Sequence, residues 1–175
     1  MADNHVPNAL PGVSTMEEPK LEFAFEVRLK FTRVQNIEMM PSGAGRGAVY
    51  VDSGEFEGPR LTGKAVPNSG GDYALFRPDD VLAFDARYML QEDDGTLIML
   101  YNNGYLWGRE ADTMTKLRNY AFANGPDVDH GEYYLRSFPR FEVAKGKHDW
   151  LMRYVFVGIG KRLKDGNVIR YYALL

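Results

Sequence analysis

The chain contains no cysteine. That excludes disulfides, zinc–thiolate sites and thiol nucleophiles, and leaves the redox compartment open. Only three histidines occur among the 175 residues, and none shows His-x-His or His-Glu-x-x-His spacing, so no metal centre is expected. Charge of one sign is lacking too. The net charge of −3 points to neither a nucleic-acid partner nor a membrane surface. No apolar run approaches a membrane span and no apolar signal region opens the chain, so a soluble, cytoplasmic protein is expected. Gly-x-Ser-x-Gly is missing, which argues against a serine hydrolase. The glycines at 43, 45 and 47 lack both the spacing and the following Lys-Ser/Thr of a phosphate cradle. No cofactor is expected from any of these patterns.

Aromatic residues and glycine are abundant: 11 Tyr, 10 Phe, 2 Trp and 18 Gly. That pairing favours strands joined by tight turns. The length predicts one domain with room for a substantial core.

The most informative stretch runs from Asp79 to Trp107, where two apolar runs flank Glu92-Asp93-Asp94-Gly95. Asp-Gly between such runs predicts a hairpin, because glycine accepts the positive φ of a tight turn. On its first strand Phe84, Ala86, Tyr88 and Leu90 share one face, and Ala83, Asp85, Arg87 and Met89 the other. On the second, Ile98, Leu100 and Asn102 oppose Leu97, Met99, Tyr101 and Asn103. Neither face is purely polar, which makes Asp85, Arg87 and Asn102 candidates for a polar cluster in a pocket.

Residues 1–20 read as a loosely ordered tail with three prolines, followed by one barrel domain over 21–175. Leu21–Phe31 alternates cleanly, with Leu21, Phe23, Phe25, Val27, Leu29 and Phe31 on the core face. Short strands are predicted over 48–52, 60–66 and 72–77, with a Gly/Pro bend at 53–59 between the first two. A helix over 110–123, ended by Asn124-Gly125-Pro126, would lie across one end of the sheet as a packing element or a lid. Strands resume over 132–142, 153–162 and 168–175, with a helical turn at His148–Leu151. About nine or ten strands with one helical insert predict an all-β, antiparallel barrel able to hold one small ligand.

Four stretches carry a resemblance to a known family. They are Gly54–Gly63; Gly70–Tyr73; Asp85–Tyr88 with Asp93–Gly95; and Tyr134–Arg136 with Phe141-Glu142, Trp150-Leu151 and Val157-Gly158. In order and spacing the chain resembles the domain-of-unknown-function family numbered thirty-two thirty-seven, small and mostly bacterial proteins. The resemblance implies a β-barrel related in shape to lipocalins or allene oxide cyclase, often dimeric, without an assigned reaction. Two features depart from the pattern: Tyr73 stands where tryptophan is common, and the insert around Thr113–Gly125 is longer.

For chemistry the candidates are Asp85, Arg87, Asp72 and Arg136 as catalytic groups. Glu57, Tyr88, Tyr101, Asn102, Tyr134, Phe138 and Trp150 are candidates for substrate contacts. Asp85 and Arg87, two apart on one strand, form either a wet surface ion pair or a buried carboxylate with an oxyanion anchor. Arg136 lies among aromatics and needs a partner if buried. Glu57 and Asp72 flank turns; each either caps its turn or serves as an acid–base group with a raised pKa. Tyrosines are routine barrel filling as well as donors to an oxyanion.

These residues lead to an expected acid–base enzyme without a cofactor. Its chemistry would be isomerisation, cyclisation or addition–elimination on a small cyclic or aromatic molecule. The alternative is a lipocalin-like binding protein without catalysis. A third possibility is a structural dimer whose large side chains fill the interior. Expected partners are a small-molecule substrate or ligand and a second copy of the chain.

Overall fold

The structure, a computed structural model, describes residues 18–175, with the side chain of Arg33 left aside. The expected tail, with His5, lies almost wholly outside the described residues.

Ten strands form one antiparallel sheet: β1 (Leu21–Ile37), β2 (Gly45–Glu57), β3 (Thr62–Ala65), β4 (Gly71–Asp72), β5 (Leu75–Phe76), β6 (Leu82–Glu92), β7 (Leu97–Gly108), β8 (Tyr133–Val143), β9 (Val155–Leu163) and β10 (Gly166–Leu174). The sheet order is β1-β10-β9-β8-β7-β6, continuing through β3 to β2, and β1 pairs with β2 to close the ring. The pieces β3, β4 and β5 each bridge β2 and β6 at successive heights, so together they act as one interrupted stave. The result is an eight-staved closed barrel, whose β8–β9 seam is registered only at Arg136–Ile159 and Ser137–Gly158.

The central hairpin forms as its sequence requires. Gly95 takes φ 90° and its N–H donates to the Glu92 carbonyl at 2.8 Å. Phe84, Ala86, Tyr88 and Leu90 are buried inside the barrel, as are Ile98, Leu100 and Asn102. Two sequence expectations need correction. The alternation of β1 breaks at Ala24, where the register slips between Phe23 and Phe25. This bulge turns Leu21 and Phe23 outward, 53% and 38% exposed, while both Ala24 and Phe25 are buried. β2 also runs unbroken through the expected Gly/Pro bend as far as Glu57.

The helix α1 (Thr113–Phe122) follows β7 and ends at Asn124, whose φ of 55° lets the Gly125 N–H reach the Asn119 carbonyl at 2.9 Å. Leu117 packs with Phe84, Leu106, Val128, Tyr133 and Leu135, a cluster under the helix. A larger cluster fills the other end, around Phe25, Phe56, Leu90, Ile98, Phe141, Phe156 and Trp150. Among the described residues, no helix is long and apolar enough to cross a membrane.

Candidate functional site

Between the two apolar clusters the barrel is not filled. The cavity measures about 170 Å³, and residues of α1 form part of its wall. Its walls are mostly apolar, from Leu29, Val51, Phe76, Phe84, Ala86 and Ile169, with Met114, Leu117 and Phe122 of α1 at one end. The polar groups that line it are Asp72, Tyr88, Asn102, Arg118, Arg162, Asn167 and Asn36. A largely apolar chamber with a few convergent polar groups is the ordinary form of a small-molecule site.

Asp72 reaches the cavity through its pairing. It stands opposite Ala86 of β6 and Val49 of β2, both of which line the cavity, and directly paired residues share a face. Its Oδ1 accepts the Asp85 backbone N–H at 2.9 Å, while Oδ2 has no protein partner among the described residues. Burial pushes the carboxyl up from 3.8 to about 7; the Asp85 N–H and the Arg162 charge oppose that rise, and the Asp85 charge adds to it.

Arg162 ends the inward series Phe156, Gly158, Gly160, Arg162 on β9. Its Nη1 donates to Asn167 Oδ1 at 2.8 Å. Burial draws its pKa down, and the charge of Asp72 counters this. Both Asp72 and Arg162 are half-buried and line the cavity.

The Asn102 Oδ1 is buried with no hydrogen-bond partner among the described residues, as are the Tyr88 and Tyr171 hydroxyls. The two phenols influence each other's ionisation without the geometry of a hydrogen bond, and burial pushes both well up, so each stays protonated. An acceptor buried without a partner is costly.

The remaining sequence candidates lie elsewhere. Asp85 and Arg87 do not face the interior: they pair with each other on the outer surface at 2.9 Å, because odd-numbered positions of β6 point outward. That ion pair lowers the Asp85 carboxyl and raises the Arg87 guanidinium. Arg136 is likewise outside, over the Tyr134 ring at 5.1 Å, with Tyr134 stacked on Trp107. Phe138 is exposed, and Tyr101 donates to Glu142 on the outer face at 3.2 Å. Glu57 lines a shallow outer groove. Trp150 is buried in the opposite cluster, beneath Arg60. The structure thus brings together Asp72, Tyr88 and Asn102 from the expected set and adds Arg162, Arg118 and Asn167. Stepping by two from Phe156 through the β9 glycines would have found Arg162.

Known proteins share this architecture. A UPF0311 protein of Rhodopseudomonas palustris is 30% identical over 159 residues, covering 90% of this chain and 99% of its own. Its crystal structure superposes with a TM-score of 0.80 at 27% identity, over 91% of this chain and 99% of that one. A β-barrel-like protein of Acinetobacter baumannii gives 0.77 at 29% identity, over 93% and 99% of the two chains. A structure described as an enzyme of Penicillium herquei gives 0.67 at 17% identity, over 93% and 98%, a likeness of fold alone. The model of a family described as protein of unknown function, DUF3237, matches residues 19–174, and the chain belongs to that family.

Proposed function

We propose that the protein is an acid–base enzyme acting on a small cyclic or aromatic organic molecule held in the barrel cavity. The carrying observation is Asp72: a carboxyl with its pKa near 7 and one unpartnered oxygen, set in an apolar chamber beside a guanidinium. Such a group exists in both protonation states near neutrality, so it can take a proton from one substrate atom and return it to another. Arg162 would stabilise the enolate or phenolate that forms meanwhile, and the protonated Tyr88 hydroxyl would donate to the same charge. Isomerisation, cyclisation and addition–elimination all fit this proton traffic, and none requires a group beyond these side chains.

The predominance of apolar wall favours a second reading, a binding protein in which the polar groups only orient the ligand. One experiment separates the two. Small-molecule extracts are incubated with the protein or with Asp72→Asn and compared by mass spectrometry. The enzyme reading expects compounds that the wild type converts and the variant does not. Compounds retained on both proteins and converted by neither support the binding reading.

A further inference from the structure

At the far end of the barrel from the cavity, three side chains converge from two distant parts of the chain. Glu92 and Asp94 sit in the β6–β7 turn, and His148 immediately precedes the 3₁₀ turn Asp149–Met152. Glu92 lies six residues along β6 from Ala86, the partner of Asp72, or roughly 20 Å at about 3.3 Å per residue. One donor atom from each residue lies within 4.8 Å of the others. We propose that Glu92, Asp94 and His148 form a binding site for one divalent transition cation of the zinc type, which pins the β6–β7 turn to the 3₁₀ turn.

Two independent observations point to a ligand. His148 is 1% exposed, yet among the described residues neither of its ring nitrogens has a hydrogen-bond partner, an expensive arrangement for a buried imidazole. Its Nε2 faces Glu92 Oε1 at 3.5 Å and Asp94 Oδ2 at 3.6 Å, without hydrogen-bond geometry. Ligands bound to zinc at about 2.0–2.2 Å in a tetrahedron lie roughly 3.3–3.6 Å apart, so two edges of the site already have that length.

The carboxylates are also held in place by the main chain. Glu92 Oε2 accepts the Asp94 N–H at 2.7 Å and Asp94 Oδ1 accepts the Thr96 N–H at 2.9 Å. Each acid thereby turns its other oxygen towards His148, the kind of outer support that orients metal ligands. The same two oxygens face a cation already. Lys147 Nζ lies 3.2 Å from Glu92 Oε1 and 3.6 Å from Asp94 Oδ2, on a side chain 64% exposed. The ammonium marks where positive charge belongs, and it can swing into water when a metal arrives. One imidazole with two carboxylates suits zinc or cobalt better than magnesium or calcium, which prefer oxygen alone. Water would complete the coordination. The role is structural: the pinned 3₁₀ turn carries Trp150 and Leu151 into the core.

The test titrates chelator-treated protein with Zn(II) or Co(II), with Mg(II) as control. It follows heat by calorimetry, Co(II) visible absorption and the melting temperature. The expected result is one-to-one binding of Zn(II) and Co(II), a rise in melting temperature and no response to Mg(II). Asp94→Asn keeps the acceptor for Thr96 and should bind at least about 100-fold more weakly, as should His148→Gln, because losing a ligand costs more than losing one of its outer supports. Lys147→Met removes the competing charge and should bind up to about fivefold more tightly, which a merely structural ion cluster does not predict. Absence of one-to-one binding, binding undiminished in Asp94→Asn, or no tightening in Lys147→Met overturns the site.

Discussion

The Asp85 backbone N–H donates to Asp72 Oδ1 at 2.9 Å, so the acid that points out of the barrel orients the acid that points in. The two lie across the β4–β6 pairing and have opposite environments. Asp85 shares its charge with Arg87 at the surface and its pKa falls; Asp72 faces an apolar cavity and its pKa rises.

Asp72 should make stability pH-dependent. Its folded pKa of about 7 exceeds the ordinary 3.8, so between those values the folded state holds more protons than the unfolded one. Stability from this group therefore falls as pH rises through that window and is fully lost above it. Asp72→Asn keeps the acceptor for the Asp85 N–H and carries no charge to bury. Denaturant unfolding should show the variant more stable than wild type at pH 8, on the order of 2–4 kcal/mol, with the difference vanishing below pH 4.

Arg162→Met should raise the Asp72 pKa further, because the guanidinium is one of the two influences that hold it down. An upward move of the Asp72 titration midpoint, followed by carboxyl NMR, is the expected outcome. A downward move would mean that the arginine acts on Asp72 chiefly by excluding water.

The outer pair should be dispensable. Asp85→Asn and Arg87→Gln break an exposed ion pair whose attraction water and salt largely cancel. Their denaturation midpoints should match wild type in moderate salt. Conversion or retention of any compound found in the extract experiment should be unchanged.

Leu117→Ala should loosen the helix over the cavity. Leu117 is 4% exposed and packs against Phe84, Leu106 and Leu135. Truncation should cost about 2–4 kcal/mol in equilibrium unfolding, as buried leucines usually do. Amide exchange should quicken in α1 and not in the cluster around Phe25.

Much of the fold was legible because alternation and turn chemistry agree along most of the chain. The 92–95 turn, the inward face of β6 and the helical insert all follow from short-range patterns. What was not legible depends on pairing between distant segments. Nothing near Ala24 announces the bulge that reverses the start of β1, since Ala fits a strand in either orientation. A two-residue strand such as β4 carries no alternation of its own, so the inward aim of Asp72 comes only from its partners Ala86 and Val49. Asp85 and Arg87 are charges on an apolar strand, yet their own alternation with Phe84, Ala86 and Tyr88 places them outside. Arg162 was hidden by the glycines before it, which leave that face of β9 without side chains to mark it. Glu92, Asp94 and His148 match no metal-binding spacing because the barrel, and not a local motif, brings them together.

The most direct test of the acid in the cavity is its own titration. The 13Cγ resonance of Asp72, assigned by its loss in Asp72→Asn, can be followed by NMR from pH 3 to pH 9. A midpoint near 7 is the predicted result. A midpoint near the ordinary 3.8 would show the carboxylate to be well solvated, and would contradict the acid–base role proposed for this site.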